Sequence, residues 1–253
     1  MEDYLAMLAD LAVRYGPRLL GGVVVTLQLV GISLALGGMM SVPLALARLS
    51  RNPVLRLPAF AYVFFFRGTP LLAQIYLIYY GSGQFRAAFE QAGLWWFFRD
   101  AWYCALLAFT LNTGAYTAEI VRGGIQGVPL GDIEAARACG MSGFTLYRRI
   151  ILPTAYRIAL PAYGNEIILM VKSSSIASII TIFDLMGETK LAFSRSFRLE
   201  VYLMAAALYL VITLSFEWVW ARLERWLNPQ REAPDLKAPD LQPPAALVEP
   251  QRQ

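Results

Sequence analysis

Between residues 19 and 47 the chain carries no charged side chain, and this run constrains its fold more than any other feature. Wound as a helix it is about 43 Å long, enough to cross a hydrocarbon core roughly 30 Å thick with some tilt. Four further apolar stretches follow: residues 57–80, interrupted by Arg67-Gly68-Thr69-Pro70; 101–118; 158–183, broken by Glu166 and Lys172; and 201–216. Lipid leaves no water to bond the backbone, so such spans are helical. The expectation is an all-α membrane protein with five transmembrane helices and its ends on opposite sides. Composition agrees, with 16% charged residues against about 25% in soluble domains.

Loop arginines set the orientation. Arg48, Arg51 and Arg56 follow the first span. Arg122, Arg137, Arg148, Arg149 and Arg157 lie between the third and fourth, and Arg222 and Arg225 follow the fifth. The opposite loops hold Arg86, Arg99, Lys190, Arg195 and Arg198, a modest bias that places the N-terminus outside and the C-terminus in the cytoplasm. The net charge of +4 is therefore read as an orienting charge rather than a nucleic-acid surface. Histidine is absent, which removes His-based catalysis, most zinc sites and haem ligation; no metal site is expected. Cys104 and Cys139 fall at different depths and form no CxxC pair.

Residues 1–18 lack a basic n-region and a cleavage site, so they do not read as a secretory signal. Tyr4, Leu8, Leu11 and Tyr15 recur at helical spacing, which fits either an amphipathic helix on the membrane surface or one packed on the protein. Residues 19–227 form the transmembrane domain. Residues 228–253 are Pro-rich, repeat Ala-Pro-Asp-Leu at 233–236 and 238–241, and cannot bury enough apolar surface to fold alone. The six tryptophans lie near span ends and read as an interface belt.

Within a polar segment at 119–157, the stretch EAARACGMSGFTLYRRIILP at 134–153 predicts a short helix, a bend at Gly140 and Gly143, and a second short helix closed by Pro153. Such a pair at the membrane surface suits docking into a partner's groove; an ordinary amphipathic connector is the alternative. Glu134-Ala135-Ala136, three residues, Gly140, nine residues, Ile150, one residue, then Leu152-Pro153 resembles the EAA signature of membrane subunits of bacterial ABC importers. Arg67-Gly68-Thr69-Pro70-Leu71-Leu72, the run from Asn112 to Ile125, and Ala159-Leu160-Pro161 through Gly164-Asn165-Glu166 are similar to its polar amino-acid branch. Lys172-Ser173-Ser174-Ser175-Ile176, where many relatives carry another sequence, and the region 195–202 look closest to the histidine, basic amino-acid and opine permeases.

The resemblance covers roughly residues 15–227. It implies a five-helix, MetI-like type I importer permease of the bacterial inner membrane that pairs with a like subunit, identical or paralogous. Its coupling segment, with Glu134, Ala135, Ala136, Gly140, Met141, Ile150, Leu152 and Pro153, would dock on an ATP-binding subunit, which holds Mg-ATP. A periplasmic or lipid-anchored binding protein would deliver the substrate. No cofactor is expected in this chain, which has no GxxxxGK[ST] loop.

Ionisable groups inside spans usually face a cavity or a partner. Counted along their spans, Arg67 and Glu166 lie about 15 Å and about 12 Å deep. Glu166 can meet the cationic end of a substrate and Arg67 its carboxylate; equally, the two can pair with each other or with a neighbouring subunit. Gly68 and Pro70 loosen the helix beside Thr69, and broken helices expose backbone groups that bind zwitterions. Asn112 and Asn165 complete the substrate-pathway candidates, although interhelical hydrogen bonding suits them as well. Two other functions compete. A secondary transporter or channel is compatible with a broken helix and buried charges. A membrane-embedded Ser-Lys protease is suggested by Lys172 beside Ser173–175, although neighbours on a helix do not face one another.

Overall fold

The uncharged run proves to be the middle of one long helix. In the computed structural model, which describes residues 2–227, α1 (Glu2–Leu49) continues unbroken for 48 residues. Residues 2–18 are continuous with the first span. Leu11 and Tyr15 are buried against Ala192 and Val201 near the other end of the chain, and Pro17 lies inside the helix. The Pro-rich tail falls outside the described residues.

Asn52 begins α2 (Pro53–Gly68), its side chain accepting the Val54 N–H at 2.9 Å. Helix α3 (Leu71–Gln84) follows at a 103° bend. Two short helices, α4 (Arg86–Gln91) and α5 (Trp95–Phe98), lead to α6 (Ala101–Gln126), capped by Asp100. Then come α7 (Leu130–Ala138), α8 (Gly143–Leu146) and a π-helical segment (Tyr147–Ile151) that runs directly into α9 (Leu152–Ser173). A 3-10 stretch (Ser174–Ile180), α10 (Leu185–Ser196) and α11 (Glu200–Leu227) complete the fold. Among the described residues, three helices are long and apolar enough to span a membrane. Counting each of two bent pairs, at 103° and 52°, as one span brings the number to five. The expected second span is therefore sharply bent within its length, whereas the expected fourth turns by 52° only at its end, between Ile180 and Leu185.

Lipid tails are as apolar as leucine, so helices in a membrane associate through close packing and small residues. A side chain at Gly124 of α6 would place its Cβ 2.5 Å from the Ala155 carbonyl oxygen and 3.1 Å from Ala159 Cβ on α9. Gly37 and Gly114 similarly let α1 and α6 touch. Gly164 lies under the Trp220 indole, whose Nε1–H donates to Leu160 O at 3.3 Å. Trp220 is thus half-buried and packed against the core, contrary to the belt reading. Trp96, Trp218 and Trp226 are exposed, as a belt requires.

Candidate functional site

Pro70 has no N–H and disfavours helical geometry at Thr69, which is extended at φ −115°, ψ 144°. The carbonyls freed at the end of α2 are met by side chains. Thr69 Oγ1 donates to Phe65 O at 2.8 Å. Gln74 Nε2 donates to Phe66 O at 2.9 Å and reaches Thr69 O and Oγ1 at 3.1 and 2.9 Å. Asn112 Nδ2 donates to Gln74 Oε1 at 3.1 Å and to Phe66 O at 3.3 Å. Thr69 and Asn112 therefore hold the break in shape. No side chain caps the start of α3.

Arg67, in the last turn of α2, points toward α6. Its guanidinium lies 5.2 Å from the Tyr116 ring centroid, and Nη1 is 3.8 Å from Glu119 Oε2. Glu119 is already held by two closer arginines. Arg48 Nε from α1 donates to Oε1 at 3.0 Å, and Arg122 donates through Nε at 3.0 Å and Nη2 at 2.7 Å. The Arg67 side chain remains 44% exposed, against 16% for Arg48 and 11% for Glu119. It borders a cavity of about 320 Å³ with Arg48, Phe60, Phe64, Gly68, Tyr116 and Glu119. Three guanidiniums surround one carboxylate, leaving an excess of positive charge beside that space.

Glu166 lies on the α9 face that carries Ala155 and Ala159, three helical turns along. Eleven residues from the Gly124–Ala155 contact is about 16 Å of helix, which brings Glu166 level with about residue 113 of α6, beside Asn112 and Tyr116 in depth. It is 7% exposed and has no hydrogen bond or ion pair among the described residues. Arg67 is within electrostatic reach of it. Asn165, its neighbour, is exposed on a different face. Structure thus gathers Arg67, Gly68 and Glu166 at one depth, assigns Thr69 and Asn112 to the helix break, and turns Asn165 away. Sequence reasoning overlooked Tyr116, Glu119, Arg48 and Arg122. The local signal was an acid near the end of an apolar run with an arginine three residues on.

The coupling segment divides in two. Ala136 is buried with Val128, Leu146, Ile151 and Ala155, and Met141 and Ile150 pack against that cluster. Glu134, Ala135 and Gly140 are exposed. Gly140 adopts φ +80° with open space around it, so glycine is there for its backbone conformation rather than for room. Leu130 and Phe144 flank the turn at 74% and 78% exposure. Pro153 does not close a second short helix. It lies in the first turn of α9, directly after the π-helical segment, where it withholds one N–H from a continuous helix.

Comparison with known proteins now decides the class. Residues 33–229 match the model of the family described as binding-protein-dependent transport system inner membrane component. The chain belongs to that family. It is 51% identical to the nopaline transport system permease protein NocM of Agrobacterium fabrum, over 88% of this chain and 93% of that protein. It is 44% identical to the histidine/lysine/arginine/ornithine transport system permease protein HisM of Salmonella typhimurium, over 82% and 89%. A solved amino acid ABC transporter superposes with TM-score 0.76 at 37% identity, covering 85% of this chain and 96% of its own. The MetNI methionine transporter shares the fold at TM-score 0.68 and 21% identity. The relatives are importer permeases, which fits a transport subunit rather than an enzyme. Beside Lys172, Ser174 Oγ donates to Val171 O and Ser175 Oγ to Lys172 O, each at 2.8 Å.

Proposed function

We propose that this inner-membrane permease moves a basic amino acid or an opine-type derivative, with Glu166 receiving the cationic group and Arg67 the carboxylate. The observation that carries the reading is Glu166 itself, a buried acid with no hydrogen bond or ion pair among the described residues. An unpaired charge inside a bundle is costly, and a cationic substrate would relieve that cost. Arg67, only loosely tied to Glu119, is the most exposed of the three arginines around that carboxylate. The N–H groups opening α3 add donors for a carboxylate. The names of the relatives support this class, since they transport nopaline, octopine or histidine, lysine, arginine and ornithine.

The remaining parts follow the family plan. Glu134, Ala135 and Gly140, with Leu130 and Phe144, form the surface offered to an ATP-binding subunit, which holds the Mg-ATP. Ala136, Met141, Ile150, Leu152 and Pro153 fix that surface to α9. A second permease subunit and a solute-binding protein complete the assembly, with the N-terminus outside. ATP-driven closure reaches the spans only through the different affinities of the partner's two states for this surface.

Uptake of labelled arginine, histidine, nopaline and glutamine into proteoliposomes holding the full complex tests the reading. Glu166→Gln is expected to reduce uptake of cationic substrates at least tenfold and to leave glutamine uptake nearly intact. Equal loss for all substrates would make Glu166 a structural charge.

A further inference from the structure

Arg67 is fastened to the bundle through its helix and left loose at its side chain. A turn earlier on α2, Tyr62 Oη donates to Leu111 O of α6 at 2.6 Å, and Phe66 O accepts from Gln74 and Asn112. The end of α2 is therefore held against α6 close to residues 111 and 112. The guanidinium runs on toward Tyr116 and Glu119, in the next turns of α6. It lies over the Tyr116 ring, 5.2 Å from the centroid.

Its two contacts differ in kind. Nη1 is 3.8 Å from Glu119 Oε2, too long for a hydrogen bond. Arg48 and Arg122 already bond that carboxylate at distances between 2.7 and 3.0 Å. Glu119 thus gives Arg67 a charge without a hydrogen bond. The Tyr116 ring attracts a cation to its face and uses none of its N–H donors. Tyr116 has no hydrogen bond among the described residues, so its ring is what it contributes here. A carboxylate entering the cavity of about 320 Å³ that Arg67 borders finds those donors free. A two-bond pair of guanidinium and carboxylate is stronger and more directional than either standing contact.

We infer that Tyr116 is a positioning residue for Arg67, and that Glu119 keeps the guanidinium's place until a substrate carboxylate takes it. Together they make the site select cations that carry a carboxylate over the same cations without one. The inference rests on the role of Arg67 proposed above and not on that of Glu166. From Glu119 back to the level of residue 113, where Glu166 lies, is about 9 Å of α6. The exchange therefore draws the guanidinium away from Glu119 and toward the helix break. Arg48 and Arg122 stay on Glu119 throughout, so the tie between α1 and α6 survives it.

The test is equilibrium binding of labelled arginine, and of agmatine, which is arginine without its carboxylate. Both are measured on the full complex in nanodiscs, with no binding protein present. Wild type is expected to prefer arginine roughly tenfold or more. Tyr116→Leu is expected to weaken arginine about three- to tenfold and to leave agmatine nearly unchanged. Tyr116→Phe keeps the ring and is expected to keep the wild-type preference. Glu119→Gln is expected to raise the preference for arginine about two- to fivefold. Glu119 also anchors Arg48 and Arg122, so the two Tyr116 variants decide the matter where Glu119→Gln does not assemble. An equal loss of both ligands in Tyr116→Leu overturns the inference, as does a wild-type complex without a preference for arginine. Arg67→Gln separates the two readings. Preference kept in Arg67→Gln refutes the role of Arg67 itself. Preference lost there but intact in Tyr116→Leu refutes this inference alone.

Discussion

Arg48 and Arg67 contact the same carboxylate, yet replacing them one at a time by glutamine is expected to give opposite phenotypes. The Arg48–Glu119 pair is 3.0 Å long, with side chains 16% and 11% exposed. Breaking a buried pair costs about 3–5 kcal/mol. Arg122 continues to hold Glu119 through two nitrogens, so about 2–3 kcal/mol is expected, at or just below the lower limit of that range. The Arg67 contact is 3.8 Å long and its side chain is 44% exposed, which puts it among exposed pairs worth roughly 0.2–1 kcal/mol. At about 2–4 °C per kcal/mol for a chain of this size, Arg48→Gln lowers the melting temperature by roughly 4–12 °C, whereas Arg67→Gln lowers it by at most about 4 °C. Transport should invert the order: Arg67→Gln inserts and folds but loses uptake.

The protein supplies its own reporter. Cys104 is buried and Cys139 exposed, so in a Cys139→Ser background a fluorogenic maleimide reacts only as the bundle opens. Combining each arginine variant with Glu119→Gln gives two double-mutant cycles. The coupling energy of Glu119 with Arg48 should exceed that with Arg67 by at least about 1 kcal/mol. Equal couplings would refute the reasoning, because Arg67 would then be a third structural anchor rather than a cation available to a ligand.

Other substitutions test the packing and the coupling surface. Gly124→Val forces α6 away from the Ala155 carbonyl and is expected to cost about 1–3 kcal/mol, read in the same maleimide assay. Trp220→Ala opens a cavity between α9 and α11, where the indole stacks on Phe216, and should cost about 3–5 kcal/mol. Glu134→Lys is expected to change the melting temperature little while abolishing uptake and copurification of the ATP-binding subunit. Gly140→Leu should do the same to uptake but, at φ +80°, also costs about 1–2 kcal/mol of stability; normal uptake by either would remove that residue from the docking surface.

Sequence showed the spans, the break and the coupling turn because each is written in local pattern. An uncharged run, a Gly-Thr-Pro interruption and a positive-φ glycine declare themselves without partners. What was hidden depends on distant residues. Leu11 and Tyr15 look like one face of a surface helix until Ala192 and Val201 arrive to cover them. Glu119 reads as an acid beside Arg122; Arg48, the partner that ties α6 to α1, is 71 residues away. A glycine and a proline at 68 and 70 announce a break but not its 103°, which Gln74 and Asn112 stabilise from outside the interruption. Trp220 was misplaced for the same reason, since its position near a span end says nothing of Gly164 beneath it.

The π segment at Tyr147–Ile151 explains how the coupling turn stays attached to the helix that carries Glu166. Leu146, Ile151 and Ala155 share one buried cluster with Val128 and Ala136. Ile151 and Ala155 are four apart, which an α-helix places on one face. Leu146 and Ile151 are five apart, which an α-helix would separate and a π turn aligns. The extra residue is thus what lets α8 keep Leu146 on the anchoring face. Deleting exposed Arg148 should convert the segment to ordinary helix, leave Leu146 four residues from Ile151, and preserve ATP-coupled uptake. Inserting an alanine after Arg148 should swing Leu146 and everything before it by about 100°, detach the docking turn and abolish uptake, with the spans still folded by the Cys104 assay. If the deletion uncouples and the insertion does not, the π turn acts through its own deformability and not through register.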